Sequence, residues 1–338
     1  MTRPIEQQVV VVTGASYGVG RAITREFANR GARVVLLGRS QEALAAAVKE
    51  AEATGTEALA VPTDVADAEA VERAAAAAEE RFGRIDTWVN SAMVTVFSPV
   101  KEMTAAEYRR VTEVTYLGYV YGTLSALRRM LPRDEGTIIQ IGSALVYRSI
   151  PLQSAYCGAK AAIRGFTDSL RCELIHDDSN VKLSMLQLPA VNTPQFDVSR
   201  SRMPRKAQPV PPIFTPELIA RTTVWAAEHT PRELVIGGPA LQAILGQKLI
   251  PGLLDRYLGR NGYESQLTPE PADRDRPDNL FTPVAGDPGA YGRFADQSSD
   301  YSVELWLRLH RGLLATAAVA TAGLTAAALA LAGRRTDQ

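Results

Sequence analysis

Tyr156 and Lys160 are the side chains in this sequence whose types and spacing best suit proton-transfer chemistry. They stand four residues apart in a segment with helical spacing, so both project from one face of a helix. An ammonium group one turn from a phenol stabilises the phenolate and would lower the pKa of Tyr156 toward working pH. Ser143 precedes this helix, and a hydroxyl near the phenol would hold a carbonyl or alcohol oxygen in place. Together the three residues predict a proton-transfer site that needs a hydride partner.

The same residues also have a simpler interpretation. Tyrosine and lysine at this spacing occur by chance on many exposed helix faces, and a serine after a strand is ordinary loop chemistry. The choice between a catalytic site and a chance arrangement therefore depends on the surrounding predicted elements. The run from Ile138 to Ile141 is apolar and β-branched and ends at Gly142, which predicts a buried strand with Ser143 just past its end.

A glycine-rich segment, Gly14 to Gly20, follows the first predicted strand, Gln8 to Thr13, and a predicted helix starts at Arg21. Glycines in this context permit a tight turn and a close approach of the backbone to a pyrophosphate, which then lies at the helix N-terminus. The alternative is an ordinary turn between a strand and a helix. The context favours a dinucleotide-binding site.

Arg39 bears on which dinucleotide would bind. The second predicted strand, Arg33 to Leu37, leads into Gly38 and Arg39, where an acidic residue would bind the ribose hydroxyls of NAD. An arginine can instead meet a 2′-phosphate, which favours NADP(H) over NAD(H). A solvent-facing arginine at a strand end is the alternative.

Strands and helices alternate along the chain, which predicts an α/β fold with a doubly wound parallel sheet, a Rossmann fold. Further strands are predicted over Ala58–Pro62, Thr87–Asn90, Val181–Leu188 and Glu233–Gly237. Helices are predicted over Gln41–Thr54, Ala68–Phe82, Ala105–Met130 and from Tyr156 to about Ile175.

Composition narrows the function classes. The 338 residues include 37 basic and 37 acidic side chains, and without a basic stripe no nucleic-acid partner is expected. The 2 cysteines suggest no disulfide framework, and the 3 histidines are too scattered to propose a metal site. The first predicted strand begins almost at once, which leaves no room for a secretory signal.

Over roughly residues 1–240 the chain resembles the short-chain dehydrogenase/reductase family. The resemblance rests on several motifs that occur in the right order: TGASYGVG over Thr13–Gly20, Asp64-Val65, Asn90-Ser91-Ala92, Ser143, Tyr156-x3-Lys160, and Pro189 with Thr193.

The resemblance implies a role for each matching residue. Tyr156 would be the general acid/base, Ser143 would polarise the substrate oxygen, and Lys160 would bind the nicotinamide ribose. Asp64 would reach the adenine, Asn90 would support the sheet near the cofactor, and Thr193 would contact the carboxamide. The implied cofactor-binding set is Gly14, Ser16, Gly18, Gly20, Arg39, Asp64, Val65, Asn90, Ala92, Tyr156, Lys160 and Thr193.

The sequence also departs from the family pattern. Met93 and Ala190 replace family glycines, and Thr115 stands where the family often has an asparagine that anchors a water in the proton relay. A threonine hydroxyl could still hold a water, so Thr115 joins the catalytic candidates. We expect reduced or altered relay efficiency rather than inactivity.

Family members often finish soon after the strand predicted at Glu233–Gly237, but this chain continues. Before that strand, the Pro-rich segment 194–216 is predicted to form either a lid over the substrate or an irregular connection. Residues 240–259 are apolar and interrupted by Pro251, which predicts two short amphipathic helices that cover the pocket, pair subunits or touch lipid. Residues 260–300 are linker-like and could pack as an arm.

The last apolar run, Gly312–Gly333, has no charged residue and is flanked by arginines. At ~1.5 Å per residue it would reach about 33 Å, enough to cross a hydrocarbon core. Its alanine content makes insertion energetically marginal, and a buried soluble helix is the alternative. We expect a C-terminal anchor on the cytoplasmic side of a membrane, or a cytoplasmic protein if this helix is buried.

These observations predict a catalytic domain over 1–239, an extension over 240–306 and an apolar helix over 307–335. The expected activity is NADP(H)-dependent interconversion of a carbonyl and an alcohol on a small lipophilic substrate. The alternative is a non-catalytic nucleotide-binding scaffold or redox sensor of the same fold. A homodimer and a homotetramer both remain open.

Overall fold

The structure is a computed structural model, which describes residues 3–273 and 275–310. The predicted anchor over Gly312–Gly333 lies outside the described residues. Among the helices that are described, none is long and apolar enough to cross a membrane.

A seven-stranded parallel sheet forms the centre of the fold, as predicted. Its strands are β1 (Val9–Thr13), β2 (Arg33–Gly38), β3 (Ala58–Pro62), β4 (Thr87–Asn90), β5 (Thr137–Ser143), β6 (Lys182–Leu188) and β7 (Glu233–Val235). They lie side by side in the order β7-β6-β5-β4-β1-β2-β3, so β2 and β3 extend the sheet on one side of β1, and β4 to β7 extend it on the other. In such sheets, ligands bind at the carboxyl ends of the strands where the strand order reverses, here between β1 and β4.

Helices cover both faces of the sheet. The helices are α1 (Gly18–Asn29), α2 (Gln41–Glu52), α3 (Ala68–Phe82), α4 (Ala105–Thr112), α5 (Gly118–Met130), α6 (Ser154–His176), α7 (Pro216–His229), α8 (Gly238–Leu249), α9 (Pro251–Asn261) and α10 (Val303–Leu309). On one face of the sheet, a hydrophobic core contains Phe27 of α1, Leu44 of α2 and Val224 of α7. On the opposite face, a second core contains Phe82 of α3 and Leu170 of α6.

The single helix predicted over Ala105–Met130 is instead two α-helical segments joined by a π-helical turn, Glu113–Leu117. A π turn inserts a residue relative to α-helical spacing, so it changes which side chains face the sheet. Thr115 lies within this turn, which matters for its role below.

Short strands hold the remaining segments over the carboxyl edge of the sheet. Residues 194–216 contain a helical turn, Gln195–Val198, and small strands that pair with other parts of the chain. Arg205–Ala207 pairs antiparallel with Leu267–Pro271, so the C-terminal extension and this segment form one structure. The other small strands are Val96–Phe97, which pairs with Arg200–Ser201, and Ala190–Val191, Ile213–Phe214 and Ser298–Ser299, which form a three-stranded sheet.

Candidate active site

A cavity of about 680 Å³ lies at the carboxyl edge of the sheet. One half is lined by the glycine-rich loop, Arg39 and Asp64 and is called the nucleotide half below. The other half is lined by Ser143 and Tyr156 and extends to α9. The cavity therefore connects the predicted cofactor-binding residues with the predicted proton-transfer residues.

The glycine-rich loop leaves no space for side chains at two of its positions. Gly14 has φ of +70°, and a Cβ there would lie 2.7 Å from the Cα of Ala92. A Cβ on Gly20 would lie 2.2 Å from the carbonyl oxygen of Gly14. The loop thus packs tightly against the segment after β4, and the N-terminus of α1 at Gly18 lines the cavity, an arrangement that fits a diphosphate.

The segment after β4 is fixed by Thr13, whose Oγ1 accepts hydrogen bonds from the backbone N of Ser91 at 2.9 Å and of Ala92 at 3.1 Å. Asn90 has a different role. It is fully buried, and its Nδ2 donates to the carbonyl oxygen of Tyr119 at 3.3 Å and to Thr123 Oγ1 at 3.2 Å. Asn90 therefore fastens α5 to the sheet and does not line the cavity.

Two arginines lie at the nucleotide half of the cavity, Arg39 in its lining and Arg110 beside it. Arg39 lines the cavity, and its guanidinium donates to the carbonyl oxygens of Asn279, Leu280 at 3.4 Å and Phe281 at 3.0 Å. Arg110 pairs with Asp64 at 2.5 Å. Burial, and then the charge of Arg110, lower the pKa of Arg39.

Other predicted residues of this half are also in place. Ser16, Val65 and Ala92 line the cavity. A Cβ on Gly38 would lie only 2.0 Å from Ser16 Oγ, so an acidic side chain at that position would displace Ser16. Thr193 lines the cavity beside Gly18, where a Cβ would contact its side chain at 3.4 Å.

Ser143 and Tyr156 both line the cavity. Ser143 ends β5, and its backbone N donates to Gln187 Oε1 at 2.9 Å, which fixes the strand end. Tyr156 lies in the first turn of α6. Burial raises the pKa of Tyr156, while the nearby Ser143 hydroxyl lowers it. The lowered pKa predicted for this phenol is therefore not found in this structure.

The position of Lys160 explains the difference. Its Nζ donates to Tyr119 Oη at 2.8 Å and to the carbonyl oxygen of Ile141 at 2.6 Å, and it lies 5.7 Å from the ring centre of Tyr156. Burial lowers the pKa of Lys160 to about 7. The ammonium thus donates to two neutral oxygens, those of Tyr119 and Ile141, and Lys160 also lines the cavity, where its third N–H would be available to a ribose hydroxyl.

Thr115 does not lie at the reacting atoms. It is fully buried, and its Oγ1 donates to the carbonyl oxygen of Val94 at 2.9 Å and accepts from the backbone N of Val94 at 3.1 Å. These bonds use the only donor of the hydroxyl. The relay-water role of Thr115 stays a prediction, and the structure gives its hydroxyl a further role, that of fixing the backbone of Val94, which lines the cavity.

The second half of the cavity is mostly apolar, and the C-terminal extension covers it. Arg148, which follows β5, donates to Gln247 Oε1 of α8 at 2.6 Å and pairs with Asp255 of α9 at 2.7 Å. Of the three roles left open for α8 and α9, the geometry shows the first, that of covering the pocket. The apolar lining of this half includes Ile150, Leu188, Phe196, Val210, Leu254 and Leu258.

Three residues at the site escaped the sequence reasoning: Tyr119, Gln187 and Arg110. Tyr119 follows Thr115 by four residues, so helical spacing could have placed both on the face toward the sheet. For Gln187, the signal was a polar residue between two leucines near the end of a predicted buried strand. No sequence pattern marked Arg110.

Comparison with known proteins agrees with this geometry. Residues 8–203 match the family model described as short chain dehydrogenase. The chain belongs to the short-chain dehydrogenase/reductase family. Its members act on CH–OH groups and typically use NAD(P).

Two relatives are similar over most of the chain. The uncharacterized oxidoreductase YxnA of Bacillus subtilis is 34% identical over 273 residues, which cover 80% of this chain and 77% of that protein. Human short-chain dehydrogenase/reductase 3 is 30% identical over 250 residues, covering 74% of this chain and 81% of that protein.

A solved structure shares the fold. An alcohol dehydrogenase from the archaeon Thermococcus sibiricus, complexed with 5-hydroxy-NADP, superposes with a TM-score of 0.59 at 27% identity. The match covers 68% of this chain and 95% of that one. Together with the family membership, this shows that the chain is an oxidoreductase with the predicted α/β fold.

Proposed function

We propose that this protein is an NADP(H)-dependent oxidoreductase that interconverts a carbonyl and an alcohol on a lipophilic substrate. The observation that carries the proposal is that Ser143, Tyr156 and Lys160 line the same cavity as the glycine-rich loop. A proton-transfer pair and a dinucleotide-binding loop in one cavity are the two parts that hydride transfer requires.

A nicotinamide cofactor bound in this cavity would supply or accept the hydride. In the reduction direction, the Ser143 hydroxyl orients the substrate oxygen and the Tyr156 hydroxyl donates the proton to it; in the oxidation direction Tyr156 accepts it. Burial keeps the Tyr156 phenol protonated, which suits proton donation. Lys160 would hold a ribose hydroxyl of the bound cofactor, and its ammonium charge would stabilise the Tyr156 phenolate when it forms.

The proposed preference for NADP(H) over NAD(H) is supported by the positive charge of Arg39. Arg39 lines the nucleotide half, so its positive charge would meet a 2′-phosphate there, whereas the charge of the neighbouring Arg110 is offset by its ion pair with Asp64. The solved neighbour from Thermococcus sibiricus carries an NADP analogue, which agrees with this proposal.

The lipophilic character of the substrate is supported by the lining of the cavity's second half. Leucine, isoleucine, valine and phenylalanine side chains dominate it, and Gln153 and Gln266 are already bonded to each other at 2.8 Å. An apolar ketone or alcohol would gain from burial there, whereas a strongly charged one would lose its hydration.

The test is NADPH oxidation with a panel of apolar ketones, using the wild-type chain and Tyr156→Phe. We expect ketone-dependent oxidation by the wild type and a loss of at least about a hundredfold in the variant, the range of general acid catalysis. Equal rates would refute the mechanism. NADPH binding without turnover of any ketone would instead favour the non-catalytic scaffold or redox sensor.

A further inference from the structure

Residues 279–292, which we call the arm, cross the nucleotide half of the cavity. Pro283, Val284 and Pro288 line the cavity together with the glycine-rich loop and Arg39. The arm lies outside the residues that match the family model, which end at 203. This half of the cavity therefore has a wall that comes from the C-terminal extension.

The first attachment of the arm is at the end of β2. Leu280 is fully buried in the core beside α3, and the carbonyl oxygens of residues 279–281 accept hydrogen bonds from Arg39. Arg110 Nε also donates to the carbonyl oxygen of Leu280, at 3.0 Å. Asn279 Nδ2 donates to Tyr17 Oη of the glycine-rich loop at 2.5 Å.

The second attachment is at the start of α1. The backbone N of Gly18 donates to the carbonyl oxygen of Gly289 at 3.0 Å. Asp287 forms an ion pair with Arg21, which is only 3% exposed and also pairs with Glu50 at 2.8 Å. The arm is thus fastened at two points, with its cavity-lining residues between them.

Both attachments use groups that face the proposed cofactor. The N–H of Gly18 belongs to the helix N-terminus that would receive the diphosphate, and Arg39 is the proposed partner of the 2′-phosphate. A guanidinium carries more N–H donors than these carbonyl oxygens occupy. The arm therefore orients Arg39 and still leaves N–H donors that can bind a phosphate. Passage of a dinucleotide between the glycine-rich loop and the arm would break the contact between Gly18 and Gly289.

We propose that the arm forms part of the cofactor-binding site, enclosing the adenosine and diphosphate half of NADP(H), and that the cofactor enters and leaves only when the arm detaches. This inference rests on the proposed function. It assigns cofactor contacts to residues 283, 284 and 288 and a control of cofactor exchange to Asp287 and Asn279.

The experiment measures NADPH release by stopped-flow fluorescence on the full chain. Asp287→Ala removes the arm's ion pair with Arg21, and Asn279→Ala removes its bond to Tyr17. Each variant should release NADPH about tenfold faster, equivalent to about 1.4 kcal/mol. Glu270→Ala is the matched control, because Glu270 is also in the extension and pairs with Lys206 at 2.7 Å, away from the cavity. Its release rate should equal that of the wild type.

Hydrogen exchange on the wild type gives a second readout that needs no variant. NADPH should slow amide exchange in residues 279–292 as well as in the glycine-rich loop. Unchanged or slower release in both arm variants, or protection of the loop without protection of the arm, would overturn the inference while leaving the proposed function intact. A wild-type chain that binds no NADPH would overturn both.

Discussion

Tyr119→Phe tests how Lys160 is held. The variant removes the phenol oxygen that accepts from Lys160 Nζ at 2.8 Å and leaves the ammonium with the carbonyl oxygen of Ile141. A hydrogen bond to a charged group contributes roughly 1.5–3 kcal/mol, and one pKa unit is about 1.4 kcal/mol. Removing it disfavours the charged form, so the pKa of Lys160 should fall by about 1–2 units from its present value of about 7.

The consequence is measurable as a shift in the pH dependence of NADPH affinity. The charged ammonium is the better donor to a ribose hydroxyl, so affinity should be highest below the pKa of Lys160 and fall as pH rises through it. At pH 7 the charged fraction would drop from about one half to between about one tenth and one hundredth. Fluorescence titrations over a pH series should show the midpoint moving to lower pH.

Tyr116→Phe is the matched control for this experiment. It removes a phenol hydroxyl from the same helical stretch, and Tyr116 is not among the hydrogen-bond partners of Lys160. Its midpoint should equal that of the wild type. A midpoint that stays in place or rises in Tyr119→Phe would refute the reasoning that Tyr119 positions Lys160.

Substitutions at two further positions, Thr115 and Arg39, test a structural role and a role in cofactor choice. Thr115→Val leaves the buried N–H and carbonyl of Val94 without their partner and should lower the free energy of unfolding by about 1–3 kcal/mol, measured by urea denaturation. Thr115→Ser should restore most of that stability, and turnover per folded molecule in the valine variant should stay near wild type; a specific loss of turnover would support the relay role. Arg39→Asp should move the ratio of affinities from NADP(H) toward NAD(H) by about tenfold or more. An unchanged ratio, with Arg39→Gln as the size-matched control, would count against Arg39 as the determinant.

The fold could be predicted because its signals are local. Continuous β-branched runs mark buried parallel strands, and the strands at Ala58–Pro62 and Thr87–Asn90 have the predicted bounds. The glycine-rich loop could also be predicted from the sequence. The structure leaves no space for a side chain at Gly14 or Gly20, so both positions require glycine, which the sequence shows directly. Pro251 begins α9, as its fixed backbone and missing N–H predict.

The environment of the site could not be predicted, because it depends on contacts between distant segments. The spacing of Tyr156 and Lys160 predicts that they share a helix face. It does not predict that the ammonium of Lys160 donates to the buried hydroxyl of Tyr119 and not to Tyr156. The π-helical turn that brings Thr115 to Val94 has no periodicity signal of its own. The arm binds partly through backbone carbonyl oxygens, which every residue type carries, and partly through side chains such as Asp287, whose partner Arg21 is 266 residues away along the chain. Its composition therefore could not show where it would pack.

The most direct test of the proposed chemistry follows the hydride with an isotope label and removes the proposed proton donor, Tyr156, in a variant. NADPH carrying deuterium at both C4 positions would be incubated with the best ketone from the panel, and the alcohol analysed by mass spectrometry. The proposal predicts one deuterium on the carbinol carbon with the wild type and at least about a hundredfold less labelled product with Tyr156→Phe. Alcohol without deuterium, or equal labelled product from both proteins, would contradict it.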